Sequence, residues 1–164
     1  MRYAGMIKND IAAGKKVNVT FFVQGCPIHC KGCHNPETWD FDGGYEFTPD
    51  TLDELFRALE ANGVERNLSI MGGEPMAEQN LLLTAMIVTE TKKRFPNIEI
   101  YLWSGYTYKQ LLDRSLANHQ IKYILNNIDV LIAGPYMERE RDITLPMMGS
   151  RNQQVIYLKE KTEE

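Results

Sequence analysis

Val17-Asn18-Val19-Thr20-Phe21-Phe22-Val23-Gln24-Gly25-Cys26-Pro27-Ile28-His29-Cys30-Lys31-Gly32-Cys33 decides how the chain is read. Its first seven residues are mostly β-branched or aromatic and the run ends near Gly25, a pattern that predicts a strand. The cysteines follow at once, and all 3 Cys of the 164-residue chain lie here. Three thiols cannot all pair internally, and so tight a triplet reads as a metal site rather than a disulfide frame. Three thiolates holding a 4Fe–4S cluster leave one iron without a protein ligand, free for a small molecule that binds through nitrogen and oxygen. An electron-transfer ferredoxin needs four cysteines per cluster, more than this chain has. A zinc knot completed by His29 or His34 stays open, although structural zinc sites usually split their ligands into two pairs across a longer loop. Spacing alone therefore establishes a metal site with a vacant position, placed at the C-terminal end of a strand.

Further along, the pattern repeats. Asp10 to Lys16 reads as a turn or loop, and residues 35–44 as irregular. Thr48 and Pro49 suit the cap and first turn of a helix whose apolar face is Leu52, Leu55, Phe56 and Leu59, with Gly63 as its stop. Residues 67–71 predict a strand that runs into Gly72-Gly73-Glu74-Pro75. A helix over about 78–94 follows, with Lys92, Lys93 and Arg94 in its last turn, where the helix dipole favours cations. Residues 98–103 predict a strand entering Ser104-Gly105-Tyr106, and Thr107 with Gln110 forms a capping box for the next helix. A short helix over 121–125, a strand over 130–133 stopped by Gly134-Pro135, and a last strand over 154–158 complete the pattern. Alternating strands and helices imply α/β architecture with parallel strands. A closed eight-unit barrel needs about 250 residues. The expectation is an open partial (β/α) barrel of about five to six mostly parallel strands, in a single domain over 1–164 with a loose tail at 159–164. In such sheets chemistry collects at the C-terminal strand ends, where the cysteine loop, 72–75 and 104–106 all fall.

Composition narrows the function. A net charge of −4, with cations scattered, disfavours a nucleic-acid partner. No run approaches the ~18 apolar residues of a membrane span, and the N-terminus lacks a signal-peptide apolar region. A reducing, cytoplasmic location is the default expectation. Gly72 and Gly73 allow a close backbone approach to a ligand, and Glu74 can neutralise an ammonium group or hold the loop; an ordinary strand-to-helix turn is the competing reading. Ser104 is placed either to donate to a ribose hydroxyl or to cap its own turn. His119 reads as structural. Trp39, Tyr45 and Phe47 can shield a metal group or pack on the core.

Cys26-x₃-Cys30-x₂-Cys33 after the first strand, with Gly72-Gly73-Glu74-Pro75 after the next, resembles the radical S-adenosylmethionine superfamily. More narrowly, Gly25-Cys26 through Gly32-Cys33-His34-Asn35-Pro36-Glu37-Thr38-Trp39 resembles the family of anaerobic ribonucleoside-triphosphate reductase activators. So do residues 102–106, 130–134 and 149–153, and the likeness spans roughly 17–156. Gly32 stands where the superfamily often has an aromatic residue. Ala133 and Met148 depart from the subgroup's usual acid and basic residue. The resemblance implies one 4Fe–4S cluster on Cys26, Cys30 and Cys33, and S-adenosylmethionine as cosubstrate. It places Gly32, His34, Gly72, Gly73, Glu74 and Ser104 around the cosubstrate, with no catalytic side chain beyond cluster and cosubstrate. The implied product is a glycyl radical on the reductase, with a flavodoxin or ferredoxin as electron donor. Two other readings are an activator of a different glycyl-radical enzyme, such as a formate lyase, and a zinc-stabilised interaction module without catalysis.

Overall fold

The chain runs through β1 (Arg2–Asp10), β2 (Asn18–Val23), β3 (Tyr45–Glu46), α1 (Pro49–Leu59), β4 (Asn67–Gly72), α2 (Leu81–Arg94), β5 (Ile100–Ser104), α3 (Tyr108–Ser115), α4 (His119–Asn127), β6 (Val130–Ala133) and β7 (Gln154–Tyr157). These elements come from a computed structural model that describes residues 1–159. The tail expected over 159–164 lies, beyond Lys159, outside the described residues. Among the described residues, no helix is long and apolar enough to cross a membrane.

All seven strands form one open sheet in the order β3-β1-β2-β4-β5-β6-β7. The centre is parallel, β2 with β4, β4 with β5 and β5 with β6. The margins are antiparallel, with β1 between β2 and β3 and β7 outside β6. The sheet thus exceeds the five to six strands expected, because no strand was assigned to residues 2–9 or 45–46, where β1 and β3 form. The register of β1 against β2 shifts between Tyr3 and Gly5 and again between Ile7 and Asp10. Those bulges break the period-two alternation by which a strand is recognised in sequence.

The sheet's faces differ, because successive strand residues point to opposite sides. Val19, Phe21, Leu68, Ile70, Ile100, Leu102 and Leu131 point to one side and pack with Leu55, Leu83, Ile87, Leu111 and Ile124 of the four helices. Each such fully buried side chain contributes roughly 1.5–3 kcal/mol from loss of water contact. The opposite face carries Tyr101, Trp103, Val130 and Ile132, covered by Met147 and Met148 rather than by a helix. The loop after β1 crosses this face as well, since a Cβ on Gly14 would lie 2.9 Å from the Tyr101 ring.

Helix ends follow the sequence signals closely. Thr107 N donates to Gln110 Oε1 and Gln110 N to Thr107 Oγ1, closing the capping box that starts α3. Thr48 precedes Pro49 of α1, and its amide donates to Thr51 Oγ1. The first turn expected in the second helix is a separate 3-10 turn at Glu78–Asn80, ahead of α2. α4 begins at His119, earlier than expected, because the Asn118 side chain accepts from Gln120 N and Ile121 N.

Candidate functional site

Four loops at the C-terminal ends of β2, β4, β5 and β6 line one cavity. It is walled by Cys26, Cys30 and Cys33 from the first loop, Gly72, Gly73 and Glu74 from the second, and Ser104 and Gly105 from the third. Gly134 and Tyr136 come from the fourth, and Gln153 from the segment before β7. Sequence reasoning placed the first three loops here and left out the fourth.

All three thiols are free and partly buried. Burial pushes the Cys26 thiol above its ordinary value, opposed by hydrogen bonds from the backbone of Ile28 and His29. Burial does the same to Cys30, opposed by a hydrogen bond from the backbone of Tyr136. Asn35 N donates to Cys33 Sγ at 3.4 Å. Each sulfur thus has a backbone donor aimed at it, which favours the anionic form that binds metal. His29 adopts φ 52 and its ring stacks on Trp39 at 4.4 Å and 12°. His34 tilts against Tyr136 at 5.0 Å. Both imidazoles therefore sit in aromatic pairs. Among the described residues, no three His, Cys, Asp or Glu side chains gather to hold a single ion. The three thiols share one cavity wall, and a set of free thiols is the donor chemistry that an iron–sulfur cluster takes. Trp39 lines the same cavity, and its indole N–H is buried without an acceptor. An acceptor-rich group such as a sulfide cluster suits that orphan donor.

The loop after β4 is fixed to the cysteine loop by main chain. Gly73 N donates to Val23 O at 2.9 Å and Glu74 N to Gly25 O at 2.8 Å. The glycines permit this approach. Gly72 has φ +111, and a Cβ there would lie 2.8 Å from the backbone of Phe22 and Val23. A Cβ on Gly73 would collide with the Gly25 carbonyl. The pair was read as room for a ligand; both glycines line the cavity, and they also make room for the backbone of residues 22–25.

Asn80, which sequence reasoning passed over, completes the junction. Its buried amide donates to Gly25 O at 3.1 Å and to Glu74 O at 3.0 Å. The only signal in the sequence was a polar residue just before an apolar helix. Glu74 is 1% exposed. Its carboxylate accepts from Met76 N at 2.8 Å, Ser104 Oγ at 2.9 Å and Gly105 N at 2.6 Å. Burial pushes this carboxyl up to about 7 against those hydrogen bonds. Glu74 therefore ties the second loop to the third. Ser104 gives its proton to Glu74 and accepts from Tyr106 N at 3.1 Å, which matches the turn-capping reading of that serine.

Gly32 adopts φ +75, with the Glu138 carboxylate about 3 Å from where its Cβ would stand. Gly32 and His34 flank Cys33 without lining the cavity. Of the loop aromatics, Phe47 is in the core and Tyr45 is exposed on the sheet margin. Trp39 alone of the three faces the thiols.

Residues 12–156 match the family model for a 4Fe-4S single cluster domain. A Vibrio cholerae protein is 34% identical over 154 residues, which is 93% of this chain and 96% of the relative. An Escherichia coli (strain K12) protein is 31% identical over 160 residues, covering 97% of this chain and 100% of the relative. A bacteriophage T4 protein is 32% identical over 155 residues, 94% of this chain and 93% of the relative. All three are named anaerobic ribonucleoside-triphosphate reductase-activating protein.

Proposed function

Since this chain belongs to the 4Fe-4S single cluster domain family and, within it, to the anaerobic ribonucleoside-triphosphate reductase-activating proteins, we propose that it generates the glycyl radical of such a reductase, using S-adenosylmethionine. The observation that carries the proposal is the cavity shared by three thiols and the loops after β4, β5 and β6.

In this reading Cys26, Cys30 and Cys33 hold a 4Fe–4S cluster. When bound, the cluster supplies one electron to S-adenosylmethionine, whose cleavage yields methionine and a 5′-deoxyadenosyl radical that takes hydrogen from a glycine of the reductase. The protein contributes ligation, orientation and exclusion of water. Backbone amides at Ile28, His29, Asn35 and Tyr136 stabilise the anionic sulfurs. Gly72 and Gly73 present backbone toward the cosubstrate's amino-acid end. Glu74 fixes that loop against Ser104 and Gly105. Gly32 and His34 border the adenosine side through backbone. Flavodoxin or ferredoxin serves as electron donor, and the setting is the cytoplasm.

The test is anaerobic incubation of the iron-loaded protein with the reductase, S-adenosylmethionine and a reductant. A glycyl radical in the electron paramagnetic resonance spectrum is expected. Cys30→Ala should remove both the radical and formation of 5′-deoxyadenosine. A colourless, zinc-only protein, or retained cleavage in Cys30→Ala, would refute the reading.

A further inference from the structure

The segment Gly149-Ser150-Arg151-Asn152-Gln153, just before β7, meets the fourth loop of the thiol cavity, residues 134–137. Three of its side chains take three of that loop's backbone groups. Gln153 Nε2 donates to Gly134 O at 3.0 Å, and Asn152 Nδ2 donates to Pro135 O at 2.7 Å. Ser150 is fully buried, and its Oγ accepts from Met137 N at 3.2 Å. The Gln153 carboxamide is held at its other end too, because Oε1 accepts from Gly149 N at 2.8 Å and from Ser150 N at 3.3 Å.

One donor of the clamped loop is left over. Pro135 has no N–H, and Gly134 N donates to Ser104 O and Tyr106 O. The Tyr136 amide lies between the pinned residues and donates to the Cys30 sulfur. The ring of Tyr136 is confined as well, by Gly149, whose Cβ would stand 3.2 Å from it, and by His34 at 5.0 Å between centroids. Gly134, Tyr136 and Gln153 all line the thiol cavity. Hydrogen bonds to its sulfurs are among the influences that set a cluster's reduction potential, since a donor favours the more negative, reduced form.

We infer that the segment Gly149–Gln153 is a positioning element for the cluster: it holds residues 134–137 so that the Tyr136 amide faces the sulfur of Cys30, and through that bond it sets the reduction potential. The assignment rests on the ligation by Cys26, Cys30 and Cys33 proposed above. Asn152 and Gln153 touch no sulfur; they act through Tyr136.

The experiment compares Gln153→Ala and Asn152→Ala with Asn118→Ala. The last removes the acceptor for Gln120 N and Ile121 N at the start of α4, outside the cavity wall. Each is made as iron-loaded full chain, without reductase or S-adenosylmethionine. The midpoint potential is read from the electron paramagnetic resonance of the reduced cluster in an anaerobic redox titration. Loosening the clamp should disfavour the reduced form about three-fold or more. At 59 mV per ten-fold for one electron, that lowers the midpoint by about 28 mV. Asn118→Ala should keep the wild-type potential although it also loses hydrogen bonds. Asn152→Ala removes a single bond at a half-buried residue and decides the matter if Gln153→Ala takes up no iron. A potential within about 10 mV of wild type (1.5-fold), or above it, in either clamp variant overturns the proposal. Faster loss of iron to a chelator at an unchanged potential overturns it as well, because the clamp is then only structural. So does an equal shift in Asn118→Ala. Wild-type protein that takes up no 4Fe–4S cluster, or Cys30→Ala with the wild-type spectrum and potential, overturns the ligation itself, and neither result needs a clamp variant to be seen.

Discussion

Replacing Asn80 by Asp probes how the site is held together. The Asn80 amide is buried between two carbonyl oxygens, Gly25 O at 3.1 Å and Glu74 O at 3.0 Å. Asn80→Asp keeps the shape and turns a double donor into an acceptor. Two neutral hydrogen bonds are lost, at about 1 kcal/mol each. The carboxylate is also stranded, and an uncompensated buried charge brings the total to about 3–5 kcal/mol. The carbonyls keep other partners, since Gly25 O still receives Glu74 N and Glu74 O still receives Ala77 N. The penalty therefore comes from the new charge and not from orphaned acceptors. Burial raises the folded pKa of that acid above its unfolded value of about 3.9. The native state then binds the proton more tightly, so the deficit shrinks as pH falls through the raised pKa and is largest above it. The assay is urea unfolding of reduced, cluster-free protein at pH 5 and pH 8, followed by the fluorescence of Trp39 and Trp103. The deficit at pH 8 should exceed that at pH 5, by about 1.4 kcal/mol for each unit that the folded pKa lies above 5. An Asp variant within about 0.5 kcal/mol of wild type at pH 8 would refute the reasoning.

Two further substitutions test neighbouring contacts. Glu74 titrates in the folded chain at about 7 against an ordinary 4.5, so its contribution is greatest at low pH and is lost as pH rises between those values. The stability of wild type relative to Glu74→Gln should fall by about 3 kcal/mol across that window in paired urea titrations, and a flat difference would contradict it. Gly73→Ala drives a Cβ into the Gly25 carbonyl; the bonds from Gly73 N and Glu74 N must open, costing about 2 kcal/mol or more. Iron bound per chain after anaerobic reconstitution should drop with it, and an unchanged iron content would separate the junction from the cluster site.

The parallel centre of the sheet was readable because β2, β4, β5 and β6 are short apolar runs that end in glycine or serine turns. The margins were not, since Arg2–Asp10 holds its place through bulged pairing with a partner strand and not through any pattern of its own. The thiols and Gly72-Gly73 announced themselves by residue type. Their surroundings did not. Asn80 is an unremarked asparagine until Gly25 lies against it, 55 residues away. Tyr136 matters through its backbone amide, which no side-chain pattern encodes. The glycines were found as room for a ligand, and the need of the adjoining backbone for the same freedom was hidden, because a sequence shows that a residue lacks a Cβ without showing what occupies the space.

The junction at Gly25 also sets a timetable for the chain's birth. One carbonyl is shared by the amide of Glu74 and the side chain of Asn80, and Cys30 receives its donor from Tyr136. A nascent chain displays its cysteines long before any of those partners has left the ribosome. At ~5–20 residues per second, the thiols wait for seconds in a loop whose shoulders do not yet exist. With the cluster held as proposed by Cys26, Cys30 and Cys33, its stable insertion is an event of the finished chain, and fragments that end before residue 136 should take up iron without retaining it.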